Sequence, residues 1–180
     1  MTFDEPDPRP RCRTPSRRPR ESRDVPPAAP LGDTLRVLIV DDEESVAHVY
    51  AAYARVRGHS ATVAHDGAEA LVVATHEQPD AIVLDVAMPK LDGRDVCRAL
   101  RDDPRTAHIP VVVVSAHGDD PFLRDVLIRL GVFDVQTKPV DLPALFRRLE
   151  RAVAHARESA HEHDQRHGDT DATDCHEPDR

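Results

Sequence analysis

The sequence predicts an α/β domain built on a parallel five-stranded sheet, and three observations carry that prediction. Five short, β-branched apolar runs recur between residues 33 and 157. Each is too short for a helix and suits a strand covered on both faces. Segments with helical spacing separate the runs, as the crossover connections between parallel neighbours require.

The strands are expected at 35–40, 61–64, 81–84, 111–114 and near 132–135. Between the first two, Val46, Val49, Tyr50, Tyr53 and Val56 form a helical stripe that Gly58 ends. A second helix enters at Asp66-Gly67, carries Ala70, Leu71 and Ala74, and closes before Pro79. Val96 and Leu100 mark a third, with Asp92 as its cap and Pro104 beyond it. Leu123, Val126, Leu127 and Leu130 make a fourth, stopped at Gly131. The fifth holds Leu142, Leu145, Phe146, Leu149 and Val153, with Asp141 as cap and Pro143 in its first turn.

The flanks differ in kind. Residues 5–30 hold eight of the sixteen prolines among Arg, Ser, Asp and Glu. Residues 158–180 are polar throughout. Neither buries enough apolar surface to offset its ordering entropy, so 1–32 and 158–180 are expected to be disordered tails around a folded unit at 33–157. The 25 polar residues after the fifth helix are not expected to form an output domain.

The net charge of −9 is uneven, with +2 over residues 1–32, −6 over 33–155 and −5 over 156–180. An acidic middle argues against a nucleic-acid surface on the folded unit. No run of about 18 apolar residues exists to span a membrane. Cys12, Cys97 and Cys175 show neither disulfide nor metal spacing. A cytoplasmic protein is expected.

Acids stand where the buried strands stop. Asp41 and Asp42 follow the first strand and Asp85 the third. Ligands of open parallel sheets sit beyond the C-terminal strand ends, at the switch in strand order. Two unit charges about 4 Å apart repel by about 1 kcal/mol in water and about 4 kcal/mol at an effective dielectric near 20. Three carboxylates sharing such a place therefore call for a cation. An all-oxygen set selects a hard ion, Mg²⁺, whose retained open positions favour phosphoryl oxygens. Ser115 ends the fourth strand with a hydroxyl for such an oxygen, and Lys138 ends the fifth with an ammonium. The chain has 22 Arg and only two Lys, so a Lys at a strand tip points to a site wanting a compact charge. One acid of the cluster would act as nucleophile toward phosphorus.

The segments "VLIVDDEESV", "DGAEAL", "PDAIVLDVAMPKLDG", "HIPVVVVSA" and "GVFDVQTKP" resemble, in order and spacing, the receiver domains of response regulators in two-component signalling. The resemblance covers about residues 34–155. It implies a flavodoxin-like (βα)5 sandwich with strand order 2-1-3-4-5, and phosphorylation by a histidine kinase or a phosphotransfer protein. By the same resemblance Asp85 is the phosphoacceptor, Asp41 and Asp42 hold Mg²⁺ with it, and Ala87 adds its backbone carbonyl to the metal. Ser115 matches the switch hydroxyl, Lys138 the family lysine, and Lys138-Pro139 a bond usually cis. Ala87 and His117 occupy positions that tune the lifetime of the phosphoryl group in that family. A downstream protein partner is implied, met by the face of helix four, strand five and helix five.

One position departs from the family pattern. Where most members carry Tyr or Phe, this chain has Val135. That keeps open an interaction module that works without phosphorylation. A phosphatase like the haloacid dehalogenases also uses a strand-end Asp, a Lys and Mg²⁺. It wants a second acid two residues after the nucleophile, where this chain has Ala87.

Overall fold

The computed structural model describes residues 34–167. Five strands and five helices alternate along it. They are β1 (Arg36–Val40), α1 (Glu44–Val56), β2 (Ser60–Ala64), α2 (Gly67–Glu77), β3 (Ala81–Asp85), α3 (Gly93–Asp102), β4 (Val111–Ser115), α4 (Pro121–Arg129), β5 (Asp134–Thr137) and α5 (Leu142–His167). The strands form one parallel sheet in the order β2-β1-β3-β4-β5, the flavodoxin-like order expected. The chain steps outward from β1 in opposite directions, so the switch point falls between β1 and β3.

Alternation along the strands decides which helices each residue meets. Val37, Ile39, Val83, Val112 and Val114 pack with α1 and α5 on one face. Leu38, Val40, Ile82, Leu84, Val111 and Val113 pack with α2, α3 and α4 on the other. Leu38, Ile39 and Leu84 have no exposed surface, so cutting any one to Ala is worth about 2–5 kcal/mol.

Local chemistry sets most boundaries. Asp66 caps α2 by accepting from the Glu69 N–H, and Asp92 caps α3 by accepting from the Arg94 N–H. Gly58 and Gly131 take positive φ after α1 and α4. Pro143 lies in the first turn of α5, as expected; Asp141 accepts the Leu145 N–H there through its backbone carbonyl.

Three elements differ from expectation. The buried face of α1 is Ala47, Tyr50, Ala51 and Ala54, while Val49 and Val56 face solvent. Small side chains let this helix lie close to the sheet; of the expected stripe, Tyr50 is buried, Val46 and Tyr53 pack partly against the core, and Val49 and Val56 fall on the outer side. β5 begins at Asp134 rather than Val132, because the Phe133 N–H still approaches Val111 from the turn and the ladder starts at Val112↔Asp134. α5 runs to His167, past the boundary expected at 157. The Ala, Glu, Arg and Gln residues there favour helix. The two segments 1–33 and 168–180, which include most of the expected tails, lie outside the described residues.

Candidate functional site: an acid cluster at the switch point

Asp41 is the first residue past β1, and its N–H donates to the Ala64 carbonyl at 3.2 Å. That bond turns the side chain over the sheet edge, where Oδ1 accepts from the Glu43 N–H at 3.0 Å. Asp85 ends β3 beside Val114 in the neighbouring strand. Its Oδ1 accepts from the Ala87 N–H at 3.0 Å. Both acids are buried, at 2% and 5% exposure. Asp42 is exposed, yet one oxygen from each of the three carboxylates lies within 4.8 Å of the others.

Lys138 closes the group. Its Nζ donates to Asp85 Oδ2 at 2.6 Å and to Asp41 Oδ2 at 3.0 Å. Its N–H donates to the Ser115 carbonyl at 2.9 Å, which ties the tip of β5 to that of β4. The Lys138-Pro139 bond is cis. Burial opposes charge on Lys138, but the hydrogen bonds and fields of Asp85 and Asp41 outweigh it and raise its pKa. Burial also pushes Asp41 upward, against the pull of Lys138 and the Glu43 N–H.

Ser115 ends β4 at 1% exposure, and its Oγ accepts from the His117 N–H at 3.2 Å. Ala87 is exposed, and its N–H bond ties the β3–α3 loop to Asp85. The structure therefore brings Asp41, Asp42, Asp85, Ala87, Ser115 and Lys138 to one end of the sheet. Val135 is buried in β5, packed in the core with α2–α4, and contributes no polar group there.

Two supports escaped the sequence. The backbone N–H groups of Glu43 and Ala87 orient the acids, and no side-chain pattern announces them. Gly93 seats α3 so closely that an added Cβ would lie 2.5 Å from the Asp85 carbonyl oxygen and 2.7 Å from Val86 Cα. The "DG" pair at 92–93 carried that signal, but only its capping half was readable.

The chemistry of this donor set fits a divalent cation. Three carboxylates and one ammonium (−3 + 1) leave two negative charges in the cluster. All ligands on offer are oxygens, which suits a hard metal ion.

The response regulator receiver domain family matches residues 37–150. The chain belongs to that family. It is thus a signalling domain of the kind found in two-component systems. It is 42% identical over 119 residues to response regulator PleD of Caulobacter vibrioides, covering 64% of this chain and 25% of PleD. With response regulator MprA of Mycobacterium avium it shares 39% over 118 residues, 64% of this chain and 49% of MprA. The receiver therefore spans between a quarter and a half of those relatives. Among solved structures, the receiver domain of sensor histidine kinase PA1611 from Pseudomonas aeruginosa superimposes with a TM-score of 0.62 at 27% identity. It covers 68% of this chain and 99% of that one, and it has a magnesium ion in its active-site cleft. Among the described residues no helix is long and apolar enough to cross a membrane.

Proposed function

We propose that this receiver takes a phosphoryl group onto Asp85 from a phosphohistidine of a histidine kinase or phosphotransfer protein. The observation that carries the reading is Lys138 bridging two buried acids while a third carboxylate stands within 4.8 Å. Asp41, Asp42, Asp85 and the Ala87 carbonyl would hold Mg²⁺. The bound ion supplies neutralisation of charge on the phosphoryl oxygens.

The chain's own groups do the rest. The Ala87 N–H and Lys138 hold the two Asp85 oxygens, so the carboxylate plane is set before a donor arrives. One oxygen attacks phosphorus as the P–N bond breaks, and the bonding pair leaves on the imidazole nitrogen, which takes up a proton. Lys138 then balances charge on the transferred group, and Ser115 offers its hydroxyl to a phosphoryl oxygen. Water later cleaves the acyl phosphate, releasing phosphate and restoring Asp85. Output to a downstream protein would run through the face of α4, β5 and α5.

Incubation with acetyl phosphate and MgCl₂ tests this. The expected result is a mass gain of about 80 Da on the peptide containing Asp85, lost with EDTA and in Asp85→Asn. An unmodified mass, under conditions that label another receiver, overturns it.

A further inference from the structure

Four arginines lie between positions 94 and 105, and three of them meet an acid. Arg94 pairs with Asp92 at 2.6 Å, Arg98 with Asp95 at 2.8 Å and Arg105 with Asp103 at 2.8 Å. Arg101 is the exception: among the described residues no carboxylate contacts it. Its Nη1 donates to the Ala107 and Ile109 carbonyls at 2.9 and 3.0 Å, and its Nη2 to the Gly131 carbonyl at 2.8 Å. Carbonyl dipoles orient the guanidinium without cancelling its charge. A half-buried charge with no counter-charge is costly.

Arg101 opens onto a cavity of about 490 Å³ between the loop before β4, the end of α4, the turn before β5 and α5. Ile128, Val132 and Phe133 wall it, and the His155 ring lies 5.9 Å from that of Phe133. Ile128 and Phe133 leave 49% and 37% of their surface in water. Gly131 keeps the cation open. A Cβ there would stand 2.7 Å from Arg101 Nε, the one guanidinium nitrogen for which the described residues provide no acceptor. The strands begin at this edge of the sheet, so the cavity lies at the end opposite Asp85.

We infer that this cavity binds an aromatic monocarboxylate, with its carboxylate on Arg101 and its ring beside Phe133 and His155. The carboxylate supplies the acid that Arg101 lacks, in the planar geometry a guanidinium favours. The ring covers apolar surface of Ile128 and Phe133 and packs against the aromatic pair. A bound acid ties the loop before β4 to the turn before β5, which gives the receiver a small-molecule input away from its acid cluster. The inference does not rest on phosphorylation of Asp85.

Titration of the natural chain with 2-naphthoate, followed by amide NMR spectra, tests it. Saturable binding should shift the amides of Gly131, Val132 and Phe133. The alcohol 2-naphthylmethanol keeps the ring and lacks the charge, so it should bind at least about tenfold more weakly. His155→Glu, at an exposed position of α5, places a carboxylate in the cavity and should weaken naphthoate by a similar factor. Arg101→Gln should do the same; if losing its carbonyl bonds unfolds that variant, the alcohol and His155→Glu still decide. No saturable binding, equal affinity for the alcohol, or unchanged affinity in His155→Glu overturns the site and leaves Arg101 as a stitch between three carbonyls.

Discussion

Lys138 Nζ donates to Asp85 Oδ2 across 2.6 Å, joining residues 53 positions apart in the chain. The same ammonium reaches Asp41, so among the described residues it is the one cation that these two carboxylates share. Removing it in Lys138→Ala leaves those carboxylates facing each other. With the lysine side chain a quarter exposed, the expected loss is about 2 kcal/mol, below the range for a fully buried pair. Urea unfolding should show that loss in EDTA and a smaller one in MgCl₂. Equal losses in both would mean the acids do not share an ion.

Gly93→Ala is expected to cost about 2–3 kcal/mol, because the new methyl meets backbone atoms of Asp85 and Val86 that cannot yield. Gly58→Ala is the contrast. Nothing lies within 4 Å of its Cβ position, so only the positive φ of 85° is strained and about 1 kcal/mol is expected. Comparing the two unfolding midpoints separates contact from conformation.

Cys97 is buried, and burial pushes its thiol from 9.0 up to about 12. Between those values the unfolded chain has lost a proton that the folded chain keeps. This group's contribution therefore weakens stability as pH rises from about 9. Cys97→Ala should flatten that part of the alkaline stability profile. At pH 8, alkylation of Cys97 followed by peptide mass should track global unfolding, since the native thiol is neither exposed nor ionised.

Asp134 holds the outer face together. Its carboxylate meets Arg124 of α4 at 3.4 Å, Arg148 of α5 at 2.7 Å and the Gln136 amide at 2.7 Å. Arg124 also donates to the Val135 carbonyl at 2.8 Å. Asp134→Ala is expected to cost about 1 kcal/mol, the arginines being nearly half exposed. A cycle with Arg148→Ala should return a coupling energy, and simple additivity would deny the pairing.

Asp134 also shows why part of the fold was hard to read. An acid is an improbable ladder residue in a parallel sheet, so apolar Val132 and Phe133 looked like the better start of β5. The acid is tolerated because two guanidiniums from other elements satisfy it, and such partners are invisible in one dimension. The outward turn of Val49 and Val56 in the α1 stripe has a similar cause. Valine outranks alanine in hydrophobicity, but close approach of helix to sheet selects the smaller side chain. The strand tips were legible because the apolar runs end abruptly there: Val40 then Asp41, Leu84 then Asp85. Those abrupt ends placed the acids, Ser115 and Lys138 at one edge. They could not show that a single lysine would reach two carboxylates, or that backbone N–H groups would fix their orientation.

The cluster also has an order of arrival during synthesis. Asp41 and Asp85 precede Lys138 by 97 and 53 residues, so both leave the ribosome well before their ammonium exists. An N-terminal fragment ending short of β5 carries the two acids without the ammonium that bridges them. The residue just past the last strand is therefore what joins the tips of the first and third, and the site spans residues 41 to 138 of the chain.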